Sequence, residues 1–255
     1  MTDMAMFAGA STQGSILPGA FTVLHASIRA NVSKGLLVIE GGGTLGKSTA
    51  PTRLSALNYN TRVLTRPKTV MRALDAIYDP SRVLFVFNGH GLNDIPGTPQ
   101  TADGDKILIH FVGADSDFPC DQDDNAEPPT ENIWLHWSEV TNKLQGQPAH
   151  YKFVFLNSCS CGSQYQFWMQ AFKAKAFFGW EYPVLQVTAE RFERVFWDEM
   201  LDVEQHDYNV RSVYNATVQL CQNSFLGPLR DSQGRVLVWE VPVFEESEAG
   251  VAIPH

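Results

Sequence analysis

The sequence has 255 residues, of which 44% are apolar and 18% charged, and its formal net charge is −9. This length can bury a large core, and the acidic balance argues against non-specific binding to nucleic acid or anionic membranes. The sequence contains no run of 18 apolar residues, the length needed to span a bilayer. No basic segment precedes an apolar run near the start, so we expect no signal peptide. With only four cysteines, the sequence is typical of a reducing compartment, and we expect a cytoplasmic protein.

The first half of the chain contains three predicted strands and one predicted helix. Residues 1–34 are rich in Gly, Ala and Ser, and we treat them as an N-terminal extension of unknown role ahead of a domain at 35–245. Apolar runs predict the strands, and a proline that suits a helix start precedes the helical spacing. The predicted order is a strand at 36–40, an irregular segment at 44–59, a strand at 62–65, a helix after Pro67 and a strand at 82–88.

The second half begins with an acidic insertion at 92–130, which contains one predicted strand, at 106–112. Helical spacing of Trp134, Trp137 and Val140 predicts a helix from 130 to about 144. The elements predicted next are a strand at 152–156, a helix at 164–172, a strand at 176–180, helices at 187–201 and 210–221, a strand at 235–244 and a frayed acidic tail at 246–255. This alternation predicts an α/β fold, a three-layer α/β/α sandwich with a mostly parallel sheet.

Two of the predicted strands end in residues that carry chemistry. Residues 82–91 read RVLFVFNGHG and deliver His90, whereas residues 151–162 read YKFVFLNSCSCG and deliver Cys159. In parallel α/β sheets, ligands bind at the carboxyl ends of the strands. If these two strands are neighbours, an imidazole and a thiol lie on the same edge, which a cysteine nucleophile and its base require.

Such a pair can attack a carbonyl carbon. The thiolate is the reactive form, and a nearby imidazole stabilises it as an ion pair. The reaction also needs hydrogen-bond donors for the oxyanion, and the backbone amides of Gly91 and Cys159 are the candidates. The alternative is that His90 ends a strand in a satisfied turn and that Cys159 is a small buried hydrophobic residue.

These motifs resemble the caspase-like, or clan CD, cysteine peptidases, and most of all the CHAT, gingipain and separase group. That pattern has a strand ending in His-Gly and a second ending in Ser/Ala-Cys-x-x-Gly, followed by Gly-Trp and an aromatic pair. The chain supplies them in this order, as His90-Gly91, residues 158–162, Gly179-Trp180 and Phe196-Trp197. The resemblance implies a caspase-like fold and a hydrolase that cuts peptide bonds with a His90–Cys159 dyad and an oxyanion hole at Gly91 and Cys159. We expect no cofactor, with Ca²⁺ as the alternative, because some peptidases of this kind are activated by it. It also implies a protein or peptide substrate and a regulatory protein partner.

The substrate preference stays open. The caspase pentapeptide is absent, and relatives that cut after Arg or Lys carry Asp two residues before the Cys, where this chain has Asn157. The candidate substrate-binding residues are those at and beside the two strand ends: Asn157, Ser158, Trp180, Glu181 and Asp94. A caspase-like module that binds a protein partner without cutting it is the second hypothesis.

The third hypothesis is a nucleotide-binding protein. Residues 41–48, GGGTLGKS, match the phosphate-binding loop pattern and follow a predicted strand. Two features argue against it: Pro51 falls where an amide donor is needed, and no later predicted strand ends in an Asp suited to hold Mg²⁺. We therefore expect a glycine-rich loop beside a peptidase cleft.

Two further patterns concern metals. The acidic carboxylates at 115–127 are a candidate Ca²⁺ site, with a solvated loop as the alternative reading. Cys159 and Cys161 form a pair, but a zinc site needs more ligands and no second cysteine pair exists. The predicted site therefore contains no metal ligands.

Overall fold

The computed structural model describes part of the chain. The described residues are 34–42, 45–91, 104–113, 119–122, 125–222, 228–230, 233 and 236–255. The predicted N-terminal extension therefore lies outside the described residues except for Lys34, as do residues 92–103, 114–118 and 123–124 of the acidic insertion.

The bounds of the elements follow the sequence predictions closely in most places. The described strands are β1 (Gly35–Gly42), β2 (Asn60–Thr65), β3 (Arg82–Gly89), β4 (Lys106–His110), β5 (Ile133–His136), β6 (Phe153–Asn157), β7 (Ala176–Trp180), β8 (Pro228–Arg230), β9 (Val236–Trp239) and β10 (Pro242–Glu246). The described α-helices are α1 (Ala50–Leu54), α2 (Val70–Ile77), α3 (Trp137–Lys143), α4 (Tyr165–Phe172), α5 (Gln186–Glu199), α6 (Val203–His206) and α7 (Val210–Gln222).

Six strands form the main sheet, in the order β2-β1-β3-β6-β7-β10. Neighbours from β2 to β7 are parallel, and β10 closes the sheet as an antiparallel edge against β7. The predicted mostly parallel α/β fold is confirmed. Two small antiparallel pairs, β4 with β5 and β8 with β9, lie outside this sheet.

The sheet is buried on both faces. The apolar residues of β1, β6 and β7, and residues 84–87 of β3, alternate between two apolar clusters, because successive side chains of a strand point to opposite faces. On β6, for example, Phe155 packs with Phe196 of α5, while Leu156 packs in the cluster that contains Trp168 of α4. The helices α1, α5 and α7 cover one face, and α2, α3 and α4 cover the other. This is the predicted three-layer sandwich.

Four sequence predictions about elements were wrong. The helix expected from residue 130 begins at Trp137, because His136 accepts a hydrogen bond from the Ser138 amide and forms a capping box with Glu139, while residues 133–136 pair with β4. The segment 44–59, expected to be irregular, contains α1 and the 3₁₀ turn Ser55–Leu57. The single strand expected at 235–244 is divided into β9 and β10.

The tail is the fourth. Residues 246–255 were expected to fray, but Val251 and Ile253 are buried. The Val251 carbonyl accepts from the Val210 amide at 2.9 Å, and the Ile253 amide donates to the Tyr208 carbonyl at 3.1 Å. The apolar residues of this tail therefore extend the core beside α7, and its acidic residues had obscured them.

Candidate active site

Strand register places His90 and Cys159 at the same edge of the sheet. The parallel strands β3 and β6 are direct neighbours, and Asn88 is the partner of Asn157 in their register. His90 and Cys159 each follow two residues beyond that pair. The two residues that the sequence singled out therefore emerge from adjacent strands at equivalent positions.

Three glycines allow the backbone to close around Cys159. A Cβ on Gly91 would lie 2.2 Å from the Cys159 carbonyl oxygen, so the two strand ends touch through their main chains. Gly104, with φ +83°, approaches the Ser160 carbonyl in the same way, at 2.0 Å from the position of a Cβ. Gly162 packs against the Trp180 main chain at the end of β7, at 2.8 Å by the same measure. No residue with a side chain would fit these contacts without a shift of the backbone.

The Cys159 sulfur lies against the segment that connects β7 to α5. Cys159 is 3% exposed, and its Sγ accepts a hydrogen bond from the Val184 amide at 3.2 Å. The Val184 carbonyl oxygen is 3.7 Å from the same sulfur. An amide that points at a sulfur stabilises negative charge there, and the main chain of the same residue covers the thiol from one side.

Cys161 occupies a different environment. It is fully buried and belongs to the apolar cluster that contains Trp168 and Phe172. Ser160, which separates the two cysteines, adopts a left-handed conformation with φ 61°, and this turn directs the two side chains apart. Cys161 is therefore a core residue.

The imidazole of His90 is half-buried and packs edge-on against the ring of Phe111, with 5.3 Å between ring centroids and 70° between planes. The His90 carbonyl accepts from the Leu108 amide at 3.0 Å, which fixes the main chain just beyond β3. Strand β4, from the acidic insertion, therefore supports the histidine from one side.

The structure does not present three of the predicted substrate-binding side chains to solvent. Asn157, Ser158 and Trp180 are each 0% exposed. The hydroxyl of Ser158 has no hydrogen-bond partner among the described residues, whereas Asn157 and Trp180 bond to each other. Their placement at strand ends was correctly predicted, but their side chains are buried inside the protein. Glu181 is half-buried beside Trp180, and Asp94 lies outside the described residues.

The loop that resembles a phosphate-binding loop already holds anions from its own chain. The Gly46 amide donates to Glu190 Oε1 at 3.0 Å, and the Ser48 amide donates to Glu40 Oε1 at 3.1 Å. The Thr49 amide and the Ser48 hydroxyl both donate to Glu193 Oε1, at 3.1 and 2.6 Å. Three backbone amides of this loop and the Ser48 hydroxyl, the group that would bind Mg²⁺ in a nucleotide site, are therefore occupied by carboxylates, which argues against nucleotide binding here.

Pro51 does not count against nucleotide binding, contrary to the expectation from the sequence, because it lies in the first turn of α1, where a missing amide costs little. The carboxylates beneath the loop supply the stronger argument. No signal in the sequence marked them, because Glu190 and Glu193 lie some 140 positions further along the chain and reach the loop only through the packing of α5 on the sheet.

Burial shapes the ionisation of this cluster. Loss of hydration raises the pKa of the Glu193 carboxyl to about 7, with a contribution from repulsion by Glu40, while the bonds from Ser48 and Thr49 lower it. Burial also raises the pKa of Glu40 above its usual range. We therefore expect the pair Glu40 and Glu193 to bind a proton as the pH falls through the neutral range. The pair lies beside the loop at the carboxyl edge of the sheet.

We expect stability to fall as the pH rises from about 4.5 to 7, because the folded protein keeps a proton on Glu193 that the unfolded chain has lost. The loss from this carboxyl should be on the order of 3 kcal/mol. Glu193→Gln keeps an oxygen acceptor and cannot ionise, so its unfolding free energy, measured by urea denaturation at pH 5 and 8, should change less than that of the wild type. The exposed Glu131→Gln serves as the control. Equal pH dependence in Glu193→Gln and the wild type would contradict the expectation.

The candidate Ca²⁺ segment is described only in part. Asp121 is buried and forms an ion pair with Arg72 at 2.8 Å, and Glu127 is exposed. Among the described residues, no group of three or more His, Cys, Asp or Glu side chains is placed to hold a metal ion. Residues 115–117 and 123–124 of this segment lie outside the described part.

No family model and no curated protein sequence matches this chain. One solved structure that is similar is the crystal structure of the Arg-specific cysteine proteinase gingipain R, with 12% sequence identity and a TM-score of 0.47. The match covers 87% of this chain and 48% of the gingipain chain, so this chain spans about half the length of that protein. The α/β fold rests on the strand order and packing given above.

Within the described ranges, no helix is long and apolar enough to cross a membrane.

Proposed function

We propose that this protein is a caspase-like cysteine endopeptidase in which His90 is the general base and acid and Cys159 is the nucleophile. The single observation that carries the proposal is the register of β3 and β6, which brings the two strand ends together at the carboxyl edge of the sheet. The close main-chain approach of Gly91 to Cys159 supports it. The amides of Gly91 and Cys159 are the proposed oxyanion donors.

The proposed reaction has two stages. In the first, His90 takes the proton from Cys159, the thiolate attacks the scissile carbonyl carbon, and the oxyanion is held by the two amides. His90 then protonates the leaving amine, the C–N bond breaks and a thioester remains on Cys159. In the second, His90 takes a proton from water, the hydroxide attacks the thioester, and the acid product leaves as the thiol recovers its proton.

A second function has one observation in its favour. Cys159 is 3% exposed, and the Val184 peptide lies against its sulfur, so a substrate carbonyl has no approach to the thiol from that side. A caspase-like module that binds a protein partner without cutting it would tolerate such a buried thiol. A peptidase whose 181–185 segment moves when a regulatory partner binds would tolerate it as well.

The same proposal includes a compartment and a substrate class. No disulfide joins the four cysteines, all of which lie in the described part of the chain, and this fits a reducing cytoplasm. The substrate class is protein or peptide. No cofactor enters the proposed reaction.

The test of this proposal is a tetrapeptide library assayed on purified protein, with and without Ca²⁺. We expect turnover, and the cleaved members of the library give the P1 preference. A set of peptidyl chloromethyl ketones with basic, acidic, polar and bulky P1 residues is applied alongside the library, and at least one of them should label Cys159 stoichiometrically, as read by mass spectrometry. Absence of turnover together with absence of labelling would favour the binding module.

A further inference from the structure

A series of buried hydrogen bonds runs across the strands directly beneath the proposed dyad. The Trp180 indole donates to Asn157 Oδ1 at 2.9 Å, and Asn157 Nδ2 donates to Asn88 Oδ1 at 2.9 Å. Asn88 Nδ2 then donates to the Gly46 carbonyl at 2.6 Å. We call this series the cross-strand hydrogen-bond chain. It links, in spatial order, β7, β6, β3 and the loop after β1.

The participating side chains are almost inaccessible to water. Trp180 and Asn157 are 0% exposed and Asn88 is 2% exposed. Asn157 Nδ2 also donates to the Ala189 carbonyl at 3.3 Å, so the cross-strand hydrogen-bond chain extends to the first turn of α5. An amide buried this deeply costs stability unless its partners are present, so each bond fixes the position of the next residue.

The spacing relates this chain to the reactive residues. Asn88 lies two residues before His90, and Asn157 lies two residues before Cys159. A side-chain bond between these asparagines adds to the main-chain ladder at the last register pair of β3 and β6. Beyond that pair the ladder ends, so this bond is the last side-chain link between the strands before the proposed dyad.

We propose that Asn88, Asn157 and Trp180 are positioning residues that hold His90 and Cys159 in reactive alignment and tie them to the loop at residues 45–49. The inference rests on the proposed function. It replaces the prediction that Asn157 and Trp180 contact the substrate. Misplacement of a reacting group by about 1 Å can cost on the order of a hundredfold in rate. Loss of the cross-strand hydrogen-bond chain, which fixes two strand ends, can therefore lower the rate strongly.

The test uses two tryptophans of one apolar cluster. Trp180→Phe removes the indole donor that begins the chain. Trp197→Phe is the matched control, because Trp197 is also 0% exposed in that cluster and its indole nitrogen has no hydrogen-bond partner among the described residues. We expect Trp180→Phe to lower kcat by about tenfold to a hundredfold with KM little changed, whereas Trp197→Phe should keep kcat within about threefold of the wild type.

A second variant does not depend on the loss of ring volume. In Asn88→Asp, the protonated acid can donate to the Gly46 carbonyl and accept from Asn157, as Asn88 does. The ionised acid cannot donate. We therefore expect near wild-type kcat at acidic pH and a loss of about tenfold as the carboxyl ionises, at a pH where the wild type shows no such loss. If Asn88 had a merely structural role, ionisation of the new carboxyl would lower the stability of the protein and leave kcat of the folded fraction unchanged.

Alkylation separates the failure of this inference from the failure of the proposed function. The rate of reaction of Cys159 with iodoacetamide is followed by mass spectrometry from pH 4 to 10. If the alkylation rate of Cys159 in the wild type does not rise with pH below the pH range in which an ordinary cysteine ionises, the His90–Cys159 dyad is overturned. A wild type with such a rise, combined with equal kcat and alkylation profiles in Trp180→Phe and Trp197→Phe, would overturn the positioning role alone. We expect the rise to move to higher pH only in Trp180→Phe.

Discussion

Replacing Cys159 by Ala should abolish peptide hydrolysis, with a loss of kcat of roughly 10⁴-fold or more, because Cys159 is the proposed nucleophile and would form the covalent intermediate. Replacing Cys161 by Ala should leave hydrolysis within about threefold of the wild type. Cys161 lies in the apolar cluster against α4, so its replacement costs only packing, about 1 kcal/mol of unfolding free energy. The measurement is turnover of the best library peptide by the three proteins.

The two cysteines make a demanding comparison, since they are separated by a single residue and are both buried. Thermal unfolding of both variants shows whether either has lost its fold. If Cys161→Ala abolishes hydrolysis in a folded protein while Cys159→Ala retains it, the assignment of the nucleophile is wrong. If both retain hydrolysis, the activity arises elsewhere.

The main sheet could be predicted from the sequence because its buried strands are uninterrupted apolar runs. Residues of β3 and β6 are apolar without interruption and stop at small polar residues, so both the strands and the candidate site at their ends were visible locally. The order of His90-Gly91 and Cys159 along the chain added the expectation of adjacent strands. Parallel pairing of β3 with β6 then followed from the alternation with helices.

The surroundings of the site could not be predicted in the same way. Asn157 was predicted to contact the substrate because it lies two residues before Cys159, where relatives that cut after Arg or Lys carry Asp. Only the tertiary structure shows that Trp180 and Asn88 form hydrogen bonds with its side chain. The contact of the Val184 amide with Cys159 is equally invisible, because a main-chain donor in a loop leaves no mark on sequence patterns. The burial and the hydrogen bonds of these site residues thus depend on polar partners distant in sequence, which a local sequence pattern does not reveal.

The contact between Gly91 and Cys159 permits a sharp test of the site geometry. Gly91→Ala should lower the unfolding free energy by about 2 kcal/mol and kcat by about a hundredfold. The added Cβ would lie 2.2 Å from the Cys159 carbonyl oxygen and 2.9 Å from Ser158 Oγ, so the ends of β3 and β6 must separate. Urea denaturation and peptide turnover measure the two effects.

The double variant Gly91→Ala/Ser158→Ala tells which contact matters. Removing the Ser158 hydroxyl relieves only the side-chain part of the overlap and leaves the main-chain carbonyl of Cys159 in place. We therefore expect the double variant to recover little of the lost kcat, because the separation of the two main chains, and with it the displacement of His90 from Cys159, persists. Full recovery would assign the defect to the Ser158 side chain. Wild-type stability and kcat in Gly91→Ala would show that the strand ends are further apart than this contact requires, which would remove the geometric basis of the proposed oxyanion site.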